Sequence, residues 1–343
     1  GYRDVSSGTR VDLNDLNADI SLSYADLIKS TIDLELGGLS AAVGDTVYLN
    51  KLPLSLSQQS TIDLENETIS LDQGTFSIRG LALNLSGSIS NWSNTLTGDL
   101  AFNSSSDNFG ELMRLVPADY HQYVEDLQTR GSLAIDGTLQ GPLTGESLPT
   151  FNTTIEVTDG YLKNPELPQP IQNIQLSGKA SNDMLAVDKL TATAGENNLQ
   201  ATGRLSTPLE EDGEFSVDMD ANVNLATINQ FYDIGQFDIE QMGGQLVVEG
   251  QANGSRSNPK QATFDALVQL TNGSLKYAGV NKAIENITID ANATQQAIKI
   301  NNMQLQAAAN TFAMSGTINQ PLEEDRRTIN LQTNLEFDLA TIK

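Results

Sequence analysis

The sequence predicts a mainly β fold, an antiparallel sheet built from repeated segments, and three observations carry this prediction. Apolar residues fall on every second position over most of the chain, which is typical of strands with one apolar and one polar face. Turn-forming residues such as Thr158-Asp159-Gly160 and Asn272-Gly273 separate the runs and favour hairpins. The chain also repeats itself at a spacing near 113 residues, so we expect the strands to form recurring groups.

The alternation identifies the side chains that should share the apolar face of the sheet. Phe151, Ile155 and Val157 alternate with polar residues, and the repeat gives them the counterparts Phe264, Val268 and Leu270. The same pattern assigns further residues to this face: Leu133, Ile135, Ile174, Leu176, Leu199, Ala201, Phe215, Val217, Met219, Leu246, Val248, Ile287, Ile289, Phe312, Met314, Ile329 and Leu331. At about 13 residues for each strand and turn, we expect on the order of 25 strands.

The repeat divides the chain into three segments. Gly131 returns as Gly244, and Pro208-Leu209-Glu210-Glu211-Asp212 returns as Pro321-Leu322-Glu323-Glu324-Asp325. We therefore predict one repeat at 131–243, a truncated repeat at 244–343 and a diverged copy at 1–130, all in one continuous sheet. The last copy stops short of its predecessor and residue 1 is not methionine, so we expect a fragment of a longer protein.

Two short segments have the spacing of helices. Between residues 107 and 127 the apolar positions lie three and four apart, which predicts a short helix near 108–127 with Asn108 as its cap and Pro117 at its end. A related segment runs from residue 225 to 242. We therefore expect short helices between the groups of strands.

Composition and charge exclude several classes of function. The chain has 19 basic and 44 acidic residues, a net charge of −25 that opposes nucleic-acid binding. It has no cysteine, which excludes disulfide frameworks and zinc ribbons. The only histidine, His121, has no nucleophile motif around it. We therefore expect no enzyme activity, no cofactor and no metal site.

A long sheet with one continuous apolar face has to cover that face. It can close on itself, pair with a second sheet, or curl into a trough that holds an apolar ligand. The alternation of residues is compatible with all three arrangements.

Six segments of the chain combine glycine or proline with alternating residues: Leu115-Val116-Pro117-Ala118-Asp119-Tyr120, residues 131–141, Leu148-Pro149-Thr150-Phe151, Asp159-Gly160-Tyr161-Leu162-Lys163, Gly44-Asp45-Thr46-Val47-Tyr48-Leu49 and Leu83-Asn84-Leu85-Ser86-Gly87. These motifs resemble those of the AsmA-like family, in the version found in Bacteroidota, and the resemblance covers most of the chain.

The resemblance implies an elongated, highly curved sheet that forms a groove or taco-like trough, lined by the apolar residues named above. It implies a periplasmic protein that is anchored to the inner membrane by a helix outside this sequence. The wider group, which includes TamB-like and YhdP-like proteins, is similar to bridge-like lipid transfer proteins. The implied partners are phospholipids or other acyl lipids, the inner membrane, and the outer membrane or its proteins, in outer-membrane biogenesis.

Two other functions stay open at this stage. The chain can be a scaffold or chaperone for outer-membrane protein assembly that offers its sheet edge to a client. It can also be a surface adhesin with a closed β core, in which the apolar residues pack against each other.

Overall fold

The computed structural model shows a mainly β protein, which confirms the predicted fold class of a curved antiparallel sheet. The structure describes residues 2–4, 9–43, 46–115, 126–144, 148–164, 169–208, 210, 212–230, 234–258, 261–280, 282–323 and 325–338. The chain divides into two compact units. The N-terminal unit comprises residues 1–160 and 179–182, and the C-terminal unit comprises residues 161–178 and 183–343. The predicted repeat boundaries at 131 and 244 stay a prediction.

The N-terminal unit is built from successive hairpins. Its strands are β1 (Tyr2–Asp4), β2 (Thr9–Tyr24), β3 (Ile28–Val43), β4 (Thr46–Asp63), β5 (Thr68–Ile78), β6 (Leu81–Ser90), β7 (Thr97–Ser106), β8 (Gln128–Pro142) and most of β9 (Thr150–Lys163). From β1 to β8, each strand pairs antiparallel with the next. Neighbours in sequence are thus neighbours in the sheet.

The C-terminal unit repeats this plan. Its strands are β10 (Ile171–Ser181), β11 (Met184–Ala194), β12 (Asn197–Ser206), β13 (Glu214–Asn224), β14 (Ile239–Ser255), β15 (Thr263–Tyr277), β16 (Ile284–Thr294), β17 (Ala297–Ala307), β18 (Asn310–Asn319) and β19 (Thr328–Glu336). From β11 to β19, each strand pairs antiparallel with the next. Within each unit's described residues, the last strand does not pair back onto the first, so the sheet stays open.

The described residues form nineteen strands, fewer than the estimate of about 25. The estimate was too high because it allowed too few residues for each strand. Several strands are much longer than expected: β4 has 18 residues and β14 has 17.

The predicted helices are short 3-10 turns where the structure describes them. Phe109–Leu115 forms such a turn, and the Asn108 Oδ1 accepts a hydrogen bond of 3.0 Å from the Gly110 N–H, as expected for a cap. The rest of that segment, including Pro117 and His121, lies outside the described residues. The second segment contains two 3-10 turns, Leu225–Gln230 and Ile234–Phe237, before β14 begins. No α-helix occurs among the described residues, and none of their helices is long and apolar enough to cross a bilayer.

Positions 113 residues apart share unusual backbone conformations. Asp159 and Asn272 have φ of 52° and 51°, and Asn173 and Asn286 have φ of 53° and 51°. Asp and Asn enter this left-handed region more readily than other non-glycine residues. The sequence repeat is therefore also a repeat of local structure.

One of these positions lies at a β-bulge that preserves the faces of the sheet. The register between β15 and β16 shifts between Leu270 and Gly273: two residues of β15, Thr271 and Asn272, lie opposite the single residue Thr288 of β16. The extra residue would otherwise turn all later side chains of β15 to the opposite face. Bulges also bend strands and increase their twist, which contributes to the curvature of the sheet.

Two glycines in strands show why side chains are excluded at particular positions. Gly87 in β6 and Gly316 in β18 have φ of 125° and 142°. A Cβ atom on Gly87 would lie 2.1 Å from the Asp99 carbonyl oxygen, and one on Gly316 would lie 2.2 Å from the Asn330 carbonyl oxygen. Gly316 corresponds by the 113-residue repeat to Gly203, which has no such φ and only ordinary contacts at the Cβ position. The same sequence position therefore tolerates a side chain in one repeat and not in the other.

We expect Gly316→Ala to destabilise the protein by about 1–3 kcal/mol, because it adds backbone strain and a clash with a neighbouring strand. The control Gly203→Ala should be near neutral or stabilising by up to about 1 kcal/mol. Thermal unfolding of both variants checks this. Equal unfolding midpoints for the two variants would contradict the assignment of strain to Gly316.

The turn between β4 and β5 is organised by one carboxylate. The Asp63 side chain accepts hydrogen bonds from the backbone N–H groups of Glu65 and Asn66, both 3.0 Å, and from the Asn66 side-chain amide at 2.7 Å. These bonds favour the ionised carboxylate, and the side-chain bond from Asn66 is the largest cause of the lowered pKa of Asp63.

We expect Asn66→Ala to raise the pKa of Asp63 toward its ordinary value of 3.8. Because the folded-state pKa lies below the unfolded-state value, the turn is stabilised above the unfolded-state pKa, and this contribution is lost as the pH falls through the folded-state pKa. An NMR titration of the Asp63 carboxyl carbon in both proteins measures the change. An unchanged pKa would show that Asn66 does not stabilise the charge.

Candidate functional site

The main feature of the C-terminal unit is a continuous apolar face. Residues directly opposite each other in antiparallel strands lie on the same face of the sheet, so the register defines rows of side chains. One row across β11 to β19 contains Leu190, Ala201, Met219, Gly250, Ala266, Ala293, Ile298, Ile318 and Ile329. The next row contains Ala192, Leu199, Ala221, Val248, Val268, Ala291, Ile300, Gly316 and Leu331. We call this surface the apolar face.

Most of the predicted lining residues meet on this surface. The following lie on the apolar face of the C-terminal unit: Leu199, Ala201, Phe215, Val217, Met219, Leu246, Val248, Phe264, Val268, Leu270, Ile287, Ile289, Phe312, Met314, Ile329 and Leu331. Ile174 and Leu176 share one side of β10 and are half-buried. That these side chains bind a ligand stays a prediction.

The other predicted residues belong to the N-terminal unit. Leu133 and Ile135 are buried in β8, opposite Ser106 and Ser104 of β7. Three more, Phe151, Ile155 and Val157, share one side of β9, which is less exposed than the other side.

The apolar face of the C-terminal unit is only partly covered. Leu270 and Ala291 are buried, but Val217 and Met219 are 41 % and 40 % exposed, and Ile329 is 62 % exposed. In a closed β sandwich the inward-facing residues of both sheets form a packed core, so such residues would be buried. These side chains therefore do not form a closed core within this unit.

Exposure also distinguishes the two faces. Along β12, the half-buried residues are those of the apolar face and the exposed ones are their polar neighbours. Little of the apolar face is covered by a second layer, so a covering layer does not explain why its side chains are less exposed than their polar neighbours. Side chains on the inner side of a curved sheet converge and shield each other, which accounts for the lower exposure. We therefore assign the apolar face to the inner side.

The outer face carries the charge. Asp218, Asp220, Glu249 and Asp265 lie on it, and Asp220 stands directly opposite Glu249. Like charges in direct opposition repel each other, so these strands are held together by other contacts. These charged side chains therefore lie on the face opposite the apolar one.

The N-terminal unit has a comparable face that the sequence-based selection missed. Its register places these residues together: Leu34, Leu36, Leu54, Leu56, Phe76, Ile78, Leu81, Leu83, Leu85, Leu100 and Phe102. The signal was present in the sequence, since Leu52, Leu54 and Leu56 alternate with other residues, as do Leu81 and Leu83.

A polar cluster interrupts this face in the N-terminal unit. Ser30, Gln58 and Ser60 are only 4 %, 3 % and 4 % exposed. Ser30 lies opposite Ser60, and their hydroxyl oxygens are 2.6 Å apart in a hydrogen bond. Gln58 lies opposite Gly74. We call Ser30, Gln58 and Ser60 the polar cluster.

The side-chain oxygen of Gln58 is the unusual atom of the cluster. Its Nε2 donates a hydrogen bond to the Gln59 carbonyl oxygen, which identifies the other terminal atom of the amide as the oxygen. No donor from the described residues reaches the buried Gln58 Oε1. A buried acceptor without a donor costs about 1–3 kcal/mol. The alternation of apolar and polar residues could not reveal this cluster. Polar residues at positions where the pattern expects apolar ones only interrupt it.

Neither comparison with known proteins nor metal-binding geometry in the part of the chain that the structure describes identifies the family or a metal site. No family model, curated protein or solved structure matches the chain. The AsmA-like resemblance therefore stays a prediction. Among the described residues, no group of three or more His, Cys, Asp or Glu side chains could hold a metal ion.

We expect the folded protein to bind the neutral apolar dye Nile red and raise its fluorescence, because the apolar face is accessible. Val248→Asn combined with Val268→Asn, a directly opposed pair on that face, should weaken dye binding about five- to tenfold, since each change removes a methyl-rich surface. Fluorescence titration measures the affinity. Absence of dye binding to the folded wild-type protein would show that the apolar face is inaccessible.

Proposed function

We propose that the protein holds the acyl chains of lipids against its apolar face and passes them along the sheet. The observation that carries this proposal is the continuity of the apolar face across nine strands, β11 to β19, combined with its partial exposure. An accessible apolar surface of this extent is typical of a binding site for an apolar partner.

The energetics favour hydrocarbon as that partner. Burying a CH₂ group contributes about 0.8 kcal/mol, so a 16-carbon chain in water loses on the order of 12 kcal/mol relative to an apolar environment. The rows consist of Leu, Ile, Val, Ala, Met and Gly, which contact hydrocarbon without directional bonds. A chain can therefore slide from row to row over small barriers while the polar head group stays in water.

The AsmA-like resemblance extends the proposal to the cell. On this interpretation the protein works in the periplasm, is anchored to the inner membrane by a segment outside this sequence, and carries phospholipid acyl chains toward the outer membrane as a bridge-type lipid transfer protein. Its partners are then acyl lipids and the two membranes, or outer-membrane proteins. Motifs such as Leu148-Pro149-Thr150-Phe151 support this extension.

One observation supports a second candidate function, strand addition to an outer-membrane client protein. β1 pairs with only the first three residues of β2, so most of one β2 edge carries no partner strand from the described residues. The apolar side chains of β2 are also exposed, Leu22 by 65 % and Tyr24 by 80 %. An unpaired strand edge can add an extended segment of another protein through backbone hydrogen bonds.

Transfer between vesicles tests the first function. We expect the protein to accelerate movement of a fluorescent phospholipid from donor to acceptor vesicles, and Val248→Asn with Val268→Asn to reduce the rate about five- to tenfold, because polar side chains weaken contact with the chain. Dequenching of the fluorescent lipid measures the rate.

The matched control is Val247→Asn with Leu267→Asn. These residues adjoin Val248 and Val268 in the same strands but lie on the outer face. The control should transfer lipid at the wild-type rate. Equal losses in both double variants, or no transfer by the wild-type protein, would contradict the proposal. Crosslinking from the β2 edge to a client β-strand, without lipid transfer, would favour strand addition.

A further inference from the structure

The polar cluster lies within the apolar surface of the N-terminal unit, where it would contact an acyl chain bound to that unit. One row of side chains in the N-terminal unit contains Ile20, Ile32, Gln58, Gly74, Leu85, Phe102 and Gly137. Gln58 is the only polar member of this row. Ser60 is two residues further along β4, and so it projects from the same face beside Gln58.

The chemistry of the cluster determines which ligand group it can bind. Gln58 Oε1 is an acceptor for which the described residues supply no donor. Ser30 and Ser60 have two hydroxyl protons, and the bond between them uses one. The cluster therefore requires a donor at Gln58 and keeps one hydroxyl proton for donation. A hydroxyl group satisfies both needs, whereas an ester group can only accept.

The glycine opposite Gln58 makes room for the Gln58 amide. A Cβ atom on Gly74 would lie within 3 Å of the Gln58 carboxamide, so the amide occupies space that any other residue would fill. The Gln58 side chain has three rotatable bonds, which allow its oxygen to turn from Gly74 toward a ligand on the apolar surface of the N-terminal unit.

We propose that Ser30, Gln58 and Ser60 form a subsite that binds a hydroxyl group at the junction of head group and acyl chain in an amphiphilic lipid, with the hydroxyl donating to Gln58 Oε1. This inference rests on the proposed lipid-binding function and adds a preference to it. Lipids with a hydroxyl near the acyl chain bind more tightly than lipids with ester oxygens alone.

The experiment compares two probes with the same acyl chain. Monolauroylglycerol carries two hydroxyl groups and methyl laurate carries none. Competition of each probe against a fluorescent fatty acid gives its affinity for the full chain. We expect wild-type protein to bind monolauroylglycerol about tenfold more tightly than methyl laurate, the effect of one hydrogen bond.

The variant Gln58→Met keeps the length of the side chain and removes its acceptor. It should bind the two probes equally within about twofold, because the acceptor that distinguishes them is gone. The control Gln59→Met changes the adjacent residue, whose side chain is exposed, and should keep the wild-type preference. If Gln58→Met loses the circular dichroism of the sheet, Ser60→Ala serves in its place and should also reduce the preference.

The outcomes separate the two proposals. Equal affinities of wild-type protein for both probes, or the same preference in wild type and Gln58→Met, would overturn the subsite and leave the lipid-binding function intact. If neither probe binds the wild-type protein, the lipid-binding function itself fails, and the subsite fails with it. A tenfold preference that disappears only when the cluster is changed supports both.

Discussion

Strand register is the constraint on which the rest of the structure depends. Antiparallel pairing brings every second side chain of β11 to β19 onto one surface, and a slip of one residue would move the apolar set of a strand to the charged outer face. The bulge that includes Asn272 shows the constraint at work, because it absorbs an extra residue and keeps Leu270 opposite Ile289. The continuity of the apolar face is thus a property of the hydrogen-bond ladders rather than of any single side chain.

This arrangement connects stability with function. A sheet with an exposed apolar face lacks the second layer of side chains that stabilises most β proteins. Hydrocarbon that binds the folded protein and not the unfolded chain would provide that layer and stabilise the fold by mass action. The acidic outer face, with Asp220 opposite Glu249, keeps the opposite surface polar and discourages association with other sheets. The two faces therefore differ in chemistry: one is apolar and partly exposed, and the other is charged.

The sequence was sufficient to predict the parts of the fold that depend on alternation. It assigned Val248 and Val268 to one face, and the register places them opposite each other. It did not predict where bulges lie, because Asn and Asp are common throughout the chain and few of them adopt a positive φ. The sequence predicted a helix near 108–127, and the described part of this segment is a 3-10 turn. Apolar residues spaced three and four apart do not distinguish an α-helix from a 3-10 turn. The sequence-based prediction missed Gln58 because burial of a polar residue depends on tertiary neighbours.

Photocrosslinking tests the central claim, that hydrocarbon occupies the apolar face, most directly. A fatty acid with a diazirine near the end of its chain is bound to the folded protein and irradiated, and mass spectrometry locates the modified residues. The account predicts insertion at Leu246, Val248 and Val268, which share the apolar face. Insertion at comparable yield in Val247 and Leu267 on the outer face, or no insertion in β14 and β15, would contradict it.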